Sequence, residues 1–147
     1  FVAIFEAGKC DFRLHALDHL SGGFDYTWHS LPAHGRSAGI LVIHTTTMDL
    51  LAFSTGEFHI KFYLRNRADN FTWRLVAVYG AAQGERKSAF LSELVNLDKD
   101  NPYPMLIGGD FNILRYLEEK NNDRFNTHLP FLFNVVTVIL HLQEDCM

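Results

Sequence analysis

Short apolar runs separated by turn-forming residues constrain the fold of this chain more than any other feature. Each run has the length of a β-strand, and between the runs lie stretches in which apolar residues recur with helical spacing. The predicted strands are residues 1–5, 38–44, 58–64, 71–79 and 105–108. Strands that alternate with helices in this way are typical of α/β proteins, whose apolar strands are buried between layers.

Three segments have the apolar spacing of helices. The first begins at Asp11, which is a favourable N-cap residue, and ends before Gly22. The second is residues 85–97, and the third has an apolar stripe that runs from Leu132 to Leu142. The third segment is rich in β-branched residues, which favour strands, but its spacing predicts a helix. Residues 24–36 and 118–126 are predicted loops.

Length and composition limit the class of protein. The chain has 147 residues, about the size of one domain, and its 48% content of hydrophobic residues suffices for a buried core. Its net charge of −4 has the wrong sign for a protein that holds nucleic acid by bulk charge. The longest apolar run, residues 131–140, is shorter than the roughly 20 residues of a membrane-spanning helix. Cys10 and Cys146 lie near opposite ends, so we expect reduced thiols.

The strongest local signal is the sequence Gly-Gly-Asp-Phe-Asn at residues 108–112, directly after a predicted strand. Glycine allows the backbone to turn sharply, and residues two apart in an extended segment point to the same side. Asp110 could then orient or deprotonate a water, while Asn112 donates to a phosphoryl oxygen without adding a repelling charge. The same residues also fit an ordinary turn with an Asx hydrogen bond.

Glu6 lies at the end of another predicted apolar strand. A carboxylate in such a position is costly to bury unless it is paired or bound to a cation. If the two strands are neighbours, Glu6 and Asp110 converge, and an all-oxygen site of this kind suits Mg²⁺ or Mn²⁺. The alternative is a glutamate that simply lies in solvent at the end of a strand.

A series of longer strings makes the sequence more specific. In chain order they are residues 1–6 (FVAIFE), 21–24 (SGGF), 28 (W), 31–41 (LPAHGRSAGIL), 75–83 (LVAVYGAAQ), 104–113 (PMLIGGDFNI), 119–122 (EKNN), 124–125 (RF) and 133–134 (FN). The series resembles the endonuclease domain of plant non-LTR (LINE-type) retrotransposons, within the endonuclease/exonuclease/phosphatase superfamily. The resemblance covers essentially the whole chain, residues 1–147, as one partial domain.

The resemblance implies a fold and an activity. The fold is a four-layer α/β sandwich in which two mostly antiparallel or mixed sheets lie between helices. The activity is hydrolysis of phosphodiesters with Mg²⁺ (or Mn²⁺), and in the retrotransposons it nicks target DNA for the reverse transcriptase domain of the same polyprotein. The resemblance therefore implies DNA and that domain as partners, and the nucleus as the place of action.

The resemblance also implies roles for individual residues. Glu6 matches the metal-binding glutamate, and Tyr79, at the end of its predicted strand, matches a tyrosine that contacts the phosphate. Asp110 matches the aspartate that positions the attacking water. Asn112 matches the asparagine that orients the phosphate and holds Asp110.

Departures from the family pattern reduce the activity that we expect. The family has Gln-Glu-Thr where this chain has Phe5-Glu6-Ala7, and Ala38 stands in place of a glycine. The family domain also opens with a strand that carries a metal-site asparagine and closes with a Ser-Asp-His segment, and neither occurs between Phe1 and Met147. We therefore expect a fragment with little or no activity, because such groups supply charge stabilisation at the reacting phosphate.

Two other functions remain open on the sequence alone. One is a non-catalytic remnant that at most binds nucleic acid or a protein partner through the wetter face of strand 58–64 and its surroundings. The residues of that surface would be Lys61, Arg65, Arg67 and Arg74. The other is a phosphatase of small phosphoesters such as inositol phosphates, which shares the fold.

Overall fold

The computed structural model of the chain describes residues 2–7, 19, 22, 26–31, 39–45, 47–98, 102–113 and 128–143. Over these residues the strands are β1 (Val2–Ala7), β2 (Tyr26–Leu31), β3 (Gly39–Thr45), β4 (Met48–Thr55), β5 (His59–Asn66), β6 (Thr72–Tyr79) and β7 (Met105–Asp110). The helices are α1 (Lys87–Val95) and α2 (His128–Ile139). Two 3₁₀ turns, Gly84–Arg86 and Asn96–Asp98, flank α1.

The chain forms two compact units. The first consists of Phe1–Tyr79 and Pro102–Asp110, and it contains all the described strands. The second consists of Gly80–Asn101 and Phe111–Met147, and it contains α1 and α2.

The described strands of the first unit form two sheets. One has three strands in the order β1-β3-β2, and the other has four strands in the order β4-β5-β6-β7. All pairs are antiparallel except β6 and β7, which are parallel. Consecutive strands β5 and β6 form an antiparallel hairpin, whereas the parallel pair requires a long connection. The connection from β6 to β7 contains α1.

The core of the first unit draws on both sheets. The buried cluster consists of Ile40, Val42, Ile60, Phe62, Leu64, Leu75, Ala77 and Tyr79. The alternation of the sequence in β5 is confirmed in part, because Ile60, Phe62 and Leu64 are fully buried while Lys61 and Tyr63 are half-buried, but His59, on the face expected to be wetter, is buried as well. Each large apolar side chain in this cluster contributes about 2 kcal/mol through burial.

Two strands were absent from the sequence prediction. β2 lies in the stretch expected to be a loop, and β4 lies in a stretch for which no strand or helix was predicted. Among the described strands both are at the end of a sheet, and most of their residues with described side chains are exposed. Backbone pairing defines these strands, since β2 pairs with β3 from Tyr26↔Thr45 to Leu31↔Ile40. No continuous apolar run marks β2, whereas β4 contains a short one at residues 50–53 that was overlooked.

The predicted strand at residues 105–108 is confirmed as β7, but the expectation that it is buried is wrong. Leu106 is 46% exposed, and Gly108, Gly109 and Asp110 are all exposed. Within the described residues β7 pairs only with β6, and it lies at the end of its sheet. A strand in this position can be apolar in sequence without being covered on both faces.

Both predicted helices of the second unit are confirmed. The buried side chains of α1 are Phe90, Leu91 and Leu94, as its spacing predicts. In α2 the predicted face is partly wrong, because Val135 and Ile139 are exposed whereas Phe133 and Val136 are buried. The helix is apolar nearly all round, so more than one stripe has helical spacing and the sequence cannot select the buried one.

Some predicted elements lie outside the described residues. Only His19 of the helix expected after Asp11 is described, and it is helical. The loop expected at residues 118–126 is not among the described residues. Within the described part of the chain, the helices are too short or too polar to cross a bilayer.

A charge cluster joins the first two strands of the four-stranded sheet. The Oδ1 atom of Asp49 in β4 accepts from Arg67 Nε at 2.7 Å, and its Oδ2 atom accepts from Arg65 Nη2 at 3.0 Å. These two hydrogen bonds hold the pKa of the Asp49 carboxyl below its ordinary value of 3.8, and the hydrogen bond from Arg67 has the larger effect. The cluster therefore stabilises the fold only where Asp49 is ionised.

We expect Asp49→Asn to lower the thermal midpoint at neutral pH, because an amide attracts the two guanidinium groups less. The folded pKa is depressed, so this stabilisation is fully present above the unfolded pKa of about 3.9 and is lost as the pH falls through the folded value. Thermal unfolding of both proteins, followed from neutral pH down to about pH 3, should show the difference shrinking. Asp69→Asn is the control, since its Oδ1 atom would still accept from Phe71 N. A difference that does not change with pH would contradict the assignment.

Candidate functional site

Tyr79 and Asp110 are brought together by the parallel pair β6–β7. They are the last residues of their strands, and they are partners in the register of the two strands. Tyr79 is only 8% exposed and belongs to the buried cluster, whereas Asp110 is exposed. The carboxyl ends of parallel strands are where α/β proteins place polar functional residues. The predicted placement of both residues at a strand end is thus what the structure shows.

The backbone conformation before Asp110 explains why a glycine occupies position 109. Gly109 has a φ of 145°, a value that residues with a side chain rarely adopt. The chain therefore leaves β7 along a path that depends on glycine. This path determines the direction in which the backbone presents Asp110.

Asn112 belongs to the second unit, and its backbone is in the left-handed conformation, with a φ of 52°. Asparagine tolerates this region better than most residues. Its side chain donates from Nδ2 to the carbonyl of Gly80 at 2.9 Å, and its own carbonyl accepts from Lys87 Nζ at 2.6 Å. The side chain and the backbone of Asn112 are thus each held by a separate hydrogen bond.

Phe111 adds apolar contacts to the same segment of the second unit. Its ring centroid lies 6.4 Å from that of Phe90 in α1 and 5.1 Å from that of Phe133 in α2. Aromatic pairs at such distances are stabilising when the rings are tilted, as both pairs are here. Phe111 therefore contacts both helices of this unit, and Asn112 contacts α1 through Lys87.

Glu6 lies within β1 and not after it, because the strand continues to Ala7. The pairing of β1 with β3 is irregular between Ile4 and Ala7, the stretch that contains Glu6. Irregular pairing, such as a bulge, is frequent beside active sites. β1 pairs with β3 and also contacts β7, the strand that ends in Asp110. The strands of the two candidate carboxylates are thus neighbours in the first unit, although they belong to different sheets.

The chemistry of a divalent metal site is compatible with these residues. Among the residues that the structure describes, no group of three His, Cys, Asp or Glu side chains is placed to hold a metal ion. Mg²⁺ does not need such a group, because it commonly takes one or two carboxylates and keeps several waters. Asp110 is exposed at a strand end and is accordingly a suitable ligand, with Glu6 as the predicted second carboxylate.

One of the four residues of the basic surface, which is the alternative site for binding nucleic acid, is not on the surface. Arg74 is only 2% exposed, and its Nε donates to the carbonyl of Tyr103 at 2.9 Å, so this residue does not contribute to a solvent-facing patch. Arg65 and Arg67 share the carboxylate of Asp49, which partly cancels their charge. The described positions therefore provide little net positive charge for binding nucleic acid.

Two residues of this region were absent from the sequence prediction. Gly80 follows Tyr79, and a glycine at the end of a strand is a signal of close backbone approach that could have been recognised. Lys87 gave no such signal, because a lysine at the start of a helix is ordinarily solvated.

Comparison with known proteins rests on structure. No family model matches the chain, and no curated protein matches it in sequence. Among solved structures, the human Nocturnin catalytic domain with bound sulfate matches with a TM-score of 0.53 and 13% identity. The match covers 69% of this chain and 48% of that domain.

The fold is similar to that of the Nocturnin catalytic domain. An endonuclease/exonuclease/phosphatase family protein from Bacteroides thetaiotaomicron also matches, with a TM-score of 0.46, 16% identity and coverage of 68% of this chain and 46% of that one. The chain spans about half the length of each of these two proteins. The predicted mixed α/β fold class is confirmed, while the four-layer arrangement stays a prediction.

Proposed function

We propose that the chain is a phosphodiester hydrolase domain that cleaves DNA with the help of Mg²⁺ or Mn²⁺, and that its rate is low because of the departures from the family pattern between Phe1 and Met147. The observation that carries the proposal is the pairing of Tyr79 with Asp110 at the carboxyl ends of two parallel strands. The chain itself then places Asn112 two residues after Asp110, in a conformation that two hydrogen bonds hold. The fold of the structural neighbours supports the same class of activity.

Each residue has a part in the proposed reaction. Asp110 accepts a proton from a water as the water oxygen attacks the phosphorus, and the bond from phosphorus to the leaving oxygen breaks. The leaving oxygen takes up a proton from solvent, so the products are one phosphate monoester and one hydroxyl. Asn112 donates from its carboxamide to a phosphoryl oxygen, and Tyr79 contacts the phosphate. A bound Mg²⁺, with Glu6 as a ligand, would polarise the phosphate and neutralise developing charge.

The finer assignment, to DNA and to the endonucleases of plant LINE-type retrotransposons, is supported by the sequence strings around these residues. Under this proposal the partners are duplex DNA and a reverse transcriptase domain of the same polyprotein, and the protein acts in the nucleus. The proposal also predicts that the protein hydrolyses DNA faster than a small phosphoester.

Nicking of a supercoiled plasmid tests the proposed function. We expect nicking with Mg²⁺ or Mn²⁺ to be at least about 10²-fold faster than with a chelator, because the metal supplies several kcal/mol of charge stabilisation. Adding excess Mg²⁺ back to the chelated protein should restore the rate. Equal rates with metal and with chelator would refute the proposal.

A comparison of two substrates with the same protein decides between DNA and small phosphoesters. Under identical conditions we expect measurable turnover of plasmid and none of inositol phosphate. The reverse result would assign the site to small phosphoesters.

A further inference from the structure

We propose that Lys87 is a positioning residue that acts through Asn112. The proposal rests on the proposed function, and it names a residue that neither the family resemblance nor the sequence pattern singles out. Its basis is the contact between the Lys87 ammonium nitrogen and the Asn112 carbonyl, at 2.6 Å in the second unit.

Asn112 needs external contacts to hold its conformation. A residue with a side chain pays a steric cost in the left-handed region, and it remains there only when its surroundings determine it. The hydrogen bond from Nδ2 to Gly80 fixes the side chain but does not fix the carbonyl. Lys87 donates to that carbonyl, and a charged donor makes a stronger hydrogen bond than a neutral one.

Lys87 is itself held in place by its helix. It is the first residue of α1, and Phe90, one turn later on the same side, is fully buried. Phe90 contacts the ring of Phe111, so α1 touches two consecutive residues of the segment that follows Asp110. Lys87 is half-buried, so its side chain is more restricted than that of a solvated lysine. The start of α1 therefore acts as a rigid support for residues 111 and 112.

The functional consequence concerns the orientation of the phosphate. If Asn112 donates to a phosphoryl oxygen, a rotation of its backbone displaces the donor from the position that the reaction requires. Small displacements of a positioning group reduce turnover strongly but leave substrate binding largely intact. Lys87 is therefore expected to affect kcat far more than KM.

The test compares Lys87→Met, Lys87→Arg and the charge-matched control Arg86→Met in plasmid nicking. We expect Lys87→Met to lower kcat by about tenfold to a hundredfold, with KM changed less than about threefold. Lys87→Arg, which keeps a charged donor, should restore most of kcat, and Arg86→Met should leave it near the wild-type value. A wild-type kcat in Lys87→Met would overturn the inference while leaving the proposed function intact.

Hydrogen exchange of residues 108–113, measured by mass spectrometry, gives a readout that does not need activity. We expect faster exchange of this segment in Lys87→Met, with an unchanged midpoint of global unfolding. If the wild-type chain does not nick DNA, the proposed function fails, and this exchange difference still decides whether Lys87 holds Asn112. If Lys87→Met does not fold, Lys87→Gln takes its place in both measurements. Exchange equal to that of the wild type would overturn the inference.

Discussion

Asp110→Asn is expected to lower Mg²⁺-dependent nicking by about 10²–10⁴-fold, the usual contribution of a general base. The substitution keeps the size and shape of the side chain and removes only its ability to take a proton and to bind a cation. Asp110 is exposed at the last position of β7, so an amide in its place stays in contact with solvent. We therefore expect the thermal midpoint to change by no more than about 2 °C.

The rate is measured under single turnover, with enzyme in excess over supercoiled plasmid, so that product release does not mask the chemical step. Asp69→Asn is the matched control, because it removes one exposed carboxylate from a turn whose hydrogen bond to Phe71 N an amide can maintain. Wild-type nicking by Asp110→Asn would show that the Gly-Asp-Phe-Asn segment is only a turn.

How far the sequence predicted the fold differs from strand to strand. Strand β5 was found because its inner residues, such as Ile60 and Phe62, are in the core while Lys61 between them is not. Strand β2 was missed because it has no continuous apolar run, and β4 was missed although residues 50–53 form a short one. Position in the sheet is not the reason, since β1 and β7 also lie at the end of a sheet and were predicted from their apolar runs.

The candidate site shows a further limit. Tyr79 and Asp110 were placed correctly at strand ends because strand boundaries and glycines mark these positions in the sequence. The sequence could not show that they are register partners, because that depends on which strands pair. The contact of Lys87 with Asn112 joins residues 25 positions apart, and no local pattern encodes it. Tertiary contacts that hold a backbone conformation can be identified only once the fold is known.

Gly80→Ala is expected to cause the largest loss of stability, about 3 kcal/mol, at the upper end of the usual cost of overpacking. A β-carbon placed on Gly80 would overlap the carbonyl of Phe111, which is backbone and cannot rotate away. The two segments would have to separate, which also disturbs the carbonyl of Gly80 that accepts from Asn112 Nδ2. One added methyl group should therefore reduce nicking as well as stability.

Urea and thermal unfolding measure this effect, and a loss of about 3 kcal/mol corresponds to a fall of roughly 10 °C in the thermal midpoint. Gly84→Ala is the matched control, since a β-carbon on Gly84 meets nothing within 4 Å and should change stability by no more than about 0.5 kcal/mol. If the two variants unfold at the same midpoint, the close approach of Gly80 to Phe111 is wrong. In that case the side-chain hydrogen bond that holds Asn112 loses its structural basis, and the geometry proposed for phosphate orientation must be revised with it.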